Sequence, residues 1–77
     1  MEIKASELRG DNEHVMVEVD CGTVDGKAMT IRYDASSKMY VLAEIISKKI
    51  HTSCSTLSEL VAKTNPLFDW DDVAVDD

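Results

Sequence analysis

Lys38-Met-Tyr-Val-Leu-Ala-Glu-Ile-Ile-Ser-Lys-Lys-Ile50 is the stretch on which the fold turns. Met39, Leu42, Ala43, Ile46 and Ile50 recur at i, i+3, i+4, i+7 and i+11, Ile45 widens the stripe, and Lys38, Glu44, Ser47 and Lys48 fall outside it. That spacing predicts an amphipathic helix from Lys38 to about Ile50. Asp34-Ala-Ser-Ser37 supplies N-cap candidates, while Lys48, Lys49 and His51 crowd the last turn, where cations oppose the negative helix end. Burying five such side chains contributes about 1.5–3 kcal/mol each before chain entropy is subtracted. The helix is therefore expected to fill the core.

Working back toward the N-terminus, Val15, Val17, Val19 and Cys21 share one face of a period-two pattern, with Met16, Glu18 and Asp20 on the other. Met29, Ile31 and Tyr33 repeat the alternation opposite Thr30 and Arg32, so residues 14–34 read as a β-hairpin around Gly22 to Gly26. A two-residue Asp25-Gly26 turn running into an unbroken ladder would set Val19 against Arg32 and split the apolar set between faces. A three-residue Val24-Asp25-Gly26 loop with a bulged Gly26 instead pairs Cys21 with Met29, Val19 with Ile31 and Val17 with Tyr33. Residues 1–13 carry a weaker signal. Met1 to Ala5 alternates as a short edge strand, Leu8 anchors a loop or helical turn, and Arg9-Gly10-Asp11 reads as a turn and not as an adhesive tripeptide.

Working forward, Thr56-Leu-Ser-Glu59 is a capping box that opens a second helix through about Thr64, with Leu57, Leu60 and Val61 on its buried edge. Asn65-Pro66 is expected to end it. Phe68-Asp-Trp-Asp-Asp-Val-Ala-Val-Asp-Asp77 follows, alternating apolar and acidic residues, and is compatible with a third strand beside the hairpin or with an unstructured acidic end. The expected fold class is α+β: a single small domain over 1–77, with an antiparallel hairpin or three-stranded sheet packed on one face by two helices (ββαα), and an extra edge strand available from either terminus. Its hairpin and helices occupy 14–66 and its acidic aromatic tail 67–77.

The tail carries the functional signal. Residues 1–67 hold eight Lys/Arg against ten Asp/Glu, whereas the last ten residues add five aspartates and no base. The only Phe and the only Trp lie among those aspartates. Large apolar rings interleaved with concentrated negative charge suit a basic protein surface. The expected partner-binding residues are Phe68, Asp69, Trp70, Asp71, Asp72, Asp76 and Asp77. A chain of net charge −7 repels phosphate backbones, so no direct nucleic-acid binding is expected. The apolar runs are far shorter than the roughly 20 residues a membrane span needs, and the first residues lack a secretory pattern. A cytoplasmic location is therefore expected, in the host cytoplasm if the chain is phage-encoded.

Catalytic and metal chemistry are read as absent, with no cofactor expected. Cys21 and Cys54 are expected to be reduced thiols, and with His14 and His51 they match the ligand count of a zinc site without its spacing. His51-Thr-Ser-Cys54 is better explained as a helix-end cap than as a thiol enzyme's pair. The aspartates at 69, 71 and 72 lack the Gly and late Glu of a calcium loop. Leu42 to Ile46 followed by Ser55 to Leu60 echoes a helix-turn-helix unit, but the connection is long and only Lys63 is basic on the second helix. In size and charge alone the chain resembles the small inhibitors of phages and mobile elements, anti-CRISPR and anti-restriction proteins among them. That resemblance implies a non-catalytic inhibitor whose carboxylates take the place of phosphates on a larger protein. The alternative is a small structural or adaptor subunit that docks or dimerises through its sheet edge and aromatic residues.

Overall fold

The computed structural model describes residues 2–11, 17–68, 70 and 74–76. In chain order these form β1 (Glu2–Lys4), α1 (Ala5–Arg9), β2 (Val19–Val24), β3 (Lys27–Asp34), β4 (Met39–Glu44), β5 (Ile50–Cys54), α2 (Leu57–Phe68) and β6 (Ala74–Asp76). Strands β2 to β5 form one antiparallel sheet in the order β2-β3-β4-β5, and β1 pairs with β6 in a separate two-stranded parallel sheet. The α+β class holds, with two helices beside a four-stranded antiparallel sheet.

The helix expected over 38–50 is instead the hairpin β4–β5. Tyr40, Val41, Leu42 and Ala43 are all buried in succession, so β4 is covered on both faces. A strand covered on both faces is a continuous apolar run, which periodicity cannot distinguish from a helix segment. Tyr40 and Leu42 face the main core, across from Tyr33 and Ile31 on β3. Val41 and Ala43 face the other way; with Thr30 they make a narrow buried strip on the opposite side, each at most 3% exposed. Ile46, placed in the core by the helical stripe, is 92% exposed at the tip of the connecting loop.

Both loops that flank β4 share one construction. In Asp34-Ala-Ser-Ser-Lys38 the Lys38 N–H donates to the Asp34 carbonyl at 2.8 Å, and the Asp34 carboxylate accepts from the Ser36 and Ser37 hydroxyls at 2.8 and 3.0 Å. In Glu44-Ile-Ile-Ser-Lys48 the Lys48 N–H donates to the Glu44 carbonyl at 3.1 Å, and Ser47 Oγ donates to Glu44 Oε1 at 3.0 Å. The fifth residue is left-handed in each, Lys38 at φ 58° and Lys48 at φ 65°. The residues read as N-cap candidates thus close a reverse turn.

The β2–β3 register combines the two alternatives. Val19 does pair with Ile31, and the turn is the two-residue one, Val24 opposite Lys27, with Asp25 and Gly26 at φ 53° and 78°. Positive φ at both central positions suits the right-handed twist of the strands. The extra residue is absorbed not at Gly26 but at Cys21, a bulge between Asp20 and Gly22, so Met29 faces Gly22 instead of Cys21. Gly22 takes φ 109°, open to glycine and strained for other residues. The strand starts at Val19: Val17 lies outside it, giving its N–H to the Glu7 carbonyl. The expected positions 14 to 16 lie outside the described residues.

Helix α2 starts as expected, with Thr56 Oγ1 accepting from the Glu59 N–H at 3.2 Å. It does not stop at Asn65: Pro66 sits inside it and the helix reaches Phe68. A proline in the last turn forfeits one hydrogen bond at an end already short of partners, and Thr64 Oγ1 bonds back to the Leu60 carbonyl at 2.9 Å. Leu57, Leu60, Val61 and Thr64 are its buried residues, packed with Ile3, Ala5, Leu8, Ile31, Leu42 and Cys54 in one cluster. Each terminus does supply a strand, but the two pair with each other, Ile3 opposite Val75, and not with the hairpin.

Candidate functional site

The C-terminal end is built on the last turn of α2. Thr64, 1% exposed, donates its hydroxyl proton to the Leu60 carbonyl and accepts the Trp70 indole N–H at 2.9 Å. Asn65 Oδ1 accepts the Trp70 backbone N–H. Pinned from ring and backbone, Trp70 is 8% exposed and joins the main core. Phe68 lies against it, with centroids 5.6 Å apart and planes tilted by 50°, and is half-buried at the edge of the core. A tilted pair at this distance adds about 0.5–1.5 kcal/mol to the area it buries.

Past Trp70 the chain returns as β6, where Val75 packs against the core and Asp76 stands in register with Lys4. Asp69, Asp71, Asp72 and Asp77, four of the seven expected contact residues, lie outside the described residues. Of the remaining three, Trp70 has its ring inside the fold, Phe68 keeps a partly exposed edge, and Asp76 belongs to β6. The sequence reading passed over Thr64 and Asn65, which hold Trp70 in place. A threonine on the buried stripe of a helix was the available signal, because its hydroxyl needs a partner beyond its own helix.

The remaining chemistry-bearing residues are dispersed. Cys21 and Cys54 are free thiols on the two outermost strands of the sheet, three strand spacings or about 14 Å apart. A disulfide needs Cα atoms within about 7 Å, and a shared metal needs comparable proximity. Burial pushes the Cys21 thiol up to about 12, toward the unreactive protonated form. His51, the bulged residue of β5, is exposed with Nδ1 2.8 Å from Thr52 Oγ1, while Cys54 is buried in the core. His14 lies outside the described residues. Among the described residues no group of three His, Cys, Asp or Glu is gathered as a metal site would require, and no helix is long and apolar enough to cross a membrane. The helix-turn-helix echo loses its first helix to β4.

The Arg-Gly-Asp tripeptide closes on itself. Gly10 takes φ 74° to cap α1, and the Arg9 guanidinium meets Asp11 Oδ2 from Nε at 3.1 Å and from Nη2 at 2.7 Å. Its Nη1 donates to the Tyr40 hydroxyl at 2.6 Å, tying α1 to β4. The bonds to Asp11 and then Tyr40 raise the guanidinium's already high pKa, so it stays charged.

Comparison with protein-family models, with curated proteins and with solved structures returns no match to this chain.

Proposed function

We propose that this chain is a non-catalytic binding protein whose acidic C-terminal end occupies a basic, nucleic-acid-binding surface of a larger protein, as counter-defence inhibitors of phages and mobile elements do. The observation that carries the reading is the charge distribution: five aspartates in the last ten residues, beside a remainder that is nearly balanced. The anchoring of Trp70 by Thr64 and Asn65 supports it, because the acidic segment then leaves the core from a fixed point. Restricting a segment before docking lowers the entropy lost on binding. Carboxylates so placed compete with phosphates for the same Lys/Arg groove. The partner-contacting set is Asp69, Asp71, Asp72, Asp76 and Asp77 with the open edge of Phe68, and Trp70 acts from within the core as their anchor.

The test is a pull-down from the native host, comparing the intact chain with Asp69→Asn/Asp71→Asn/Asp72→Asn. The expected result is a partner held by the intact chain, released steeply by added salt, and lost by the triple variant while its circular dichroism is unchanged. Retention by the variant overturns the reading.

A second reading, an adaptor subunit, is favoured by one feature. Strand β5 ends the sheet with an open edge that carries no charged residue, and Ile50 is 45% exposed beside it. Edge strands are ordinarily blunted with charge. A complex made there would be insensitive to both salt and the aspartate changes.

A further inference from the structure

The Asp25-Gly26 turn and the Glu44–Lys49 loop lie at the same end of the sheet, joined by a hydrogen bond from the Ile45 N–H to the Ala28 carbonyl at 3.0 Å. Between them runs a groove of about 390 Å³, lined by Thr23, Gly26, Lys27, Ala28 and Ile46 among others. Its floor is made of small side chains, and a Cβ placed on Gly26 would meet nothing within 4 Å. Ile46 stands on its rim at 92% exposure, the most exposed large hydrophobic side chain among the described residues. The loop that presents it is held by its own bonds, from Ser47 Oγ to Glu44 Oε1 and from the Lys49 N–H to Ser47 Oγ at 3.2 Å. An exposed isoleucine on a braced loop has little freedom left to lose on docking.

We propose that two copies of this chain associate about a two-fold axis at this pole, Ile46 of each copy seating in the other's groove. A projecting side chain and a matching hollow on one small patch are what an isologous contact requires, since a single rotation fills both. The charge on the patch selects the same occupant. The whole chain is at −7, yet this pole carries Lys27, Lys48 and Lys49 against Asp25 and Glu44, so two copies repel one another least here. Lys27 and Glu44 flank the groove 3.8 Å apart, and a two-fold rotation sets the Lys27 of one copy toward the Glu44 of the other. A partner rich in Lys and Arg, the kind proposed for the acidic end, would be opposed by the same three lysines. The inference is therefore independent of that proposal.

Sedimentation of the purified chain from micromolar to millimolar concentration tests it, together with Ile46→Asp and with amide chemical shifts recorded on dilution. The expected result is a monomer–dimer equilibrium whose dilution shifts map to residues 22–28 and 44–47. Ile46→Asp should weaken association on the order of a hundredfold, because each dimer loses two buried isoleucines, and it should leave the fold intact because Ile46 makes no part of the core. A wild-type chain that stays monomeric throughout overturns the proposal. So does a dimer that survives Ile46→Asp, or one whose shifts map to the β5 edge or to Phe68 and Trp70.

Discussion

Replacing Lys48 by glycine changes stability in opposite directions for the two ways of folding residues 38–50. In β4–β5, Lys48 sits at φ 65°, and the left-handed region costs a residue with a Cβ about 1–2 kcal/mol. Glycine removes that cost and gives back about 0.5–1 kcal/mol as extra freedom in the unfolded chain. The net expectation is a gain of about 0.5–1 kcal/mol. Had the segment been a helix, the same substitution in its last turns would have cost about 1 kcal/mol. Lys48 is exposed, so the change acts on the backbone and not on packing. Lys38→Gly at φ 58° provides a replicate at the other end of β4. The two loops share no partner, so the effects should add. Urea unfolding followed by the emission of Trp70, the single tryptophan, measures both. A midpoint shifted down by either variant, with an unchanged denaturant slope, refutes the hairpin geometry.

Thr64→Val keeps the volume of a side chain 1% exposed and deletes the acceptor for the Trp70 indole N–H. It should cost about 1–3 kcal/mol, with Thr64→Ser retaining most of the bond. A loss no greater in the wild-type background than in Trp70→Phe would show that the two side chains are not coupled. Cys21 supplies the pH dependence. Its folded pKa is raised by burial from an ordinary 9.0 to about 12, so the folded state holds its proton more tightly than the unfolded state. The contribution is fully present below about pH 9 and is lost as pH rises toward 12. Thermal melts across that range should therefore fall less steeply for Cys21→Ala than for the wild type, and equal slopes would contradict the assignment.

The hairpin β2–β3 and the start of α2 were legible because each rests on one local rule: two-residue alternation in the first, an N-cap threonine in the second. The strand β4 was not. Its burial on both faces removes the alternation that marks a half-covered strand, and the apolar residues left behind happen to satisfy a helical stripe. The distinguishing signal lay in the loops. Asp34-Ala-Ser-Ser-Lys38 and Glu44-Ile-Ile-Ser-Lys48 repeat acid, two residues, serine, lysine at an interval of ten, a spacing that fits a six-residue strand between two matching four-residue turns. The bulge at Cys21 escaped for a different reason. A strand one residue too long for its partner can shed the excess at the turn or along the ladder, and the apolar pairing of Val19 with Ile31 is the same in both.

The position of Trp70 bears on function more than the error at β4 does. An indole free to meet a partner would make the C-terminal end an aromatic contact surface with incidental charge, and binding would then depend on the ring. An indole bonded to Thr64 and packed on Phe68 leaves that work to the carboxylates and to one exposed phenyl edge. The pairing of β6 with β1 adds a second restraint, so the chain is held on both sides of Asp71 and Asp72. Trp70→Phe and the triple aspartate change then separate two roles. The first should weaken partner binding only as far as it loosens the anchor, and an added salt series should leave its ionic-strength dependence like that of the wild type. The second should flatten that dependence, since the slope counts the charges that meet the partner.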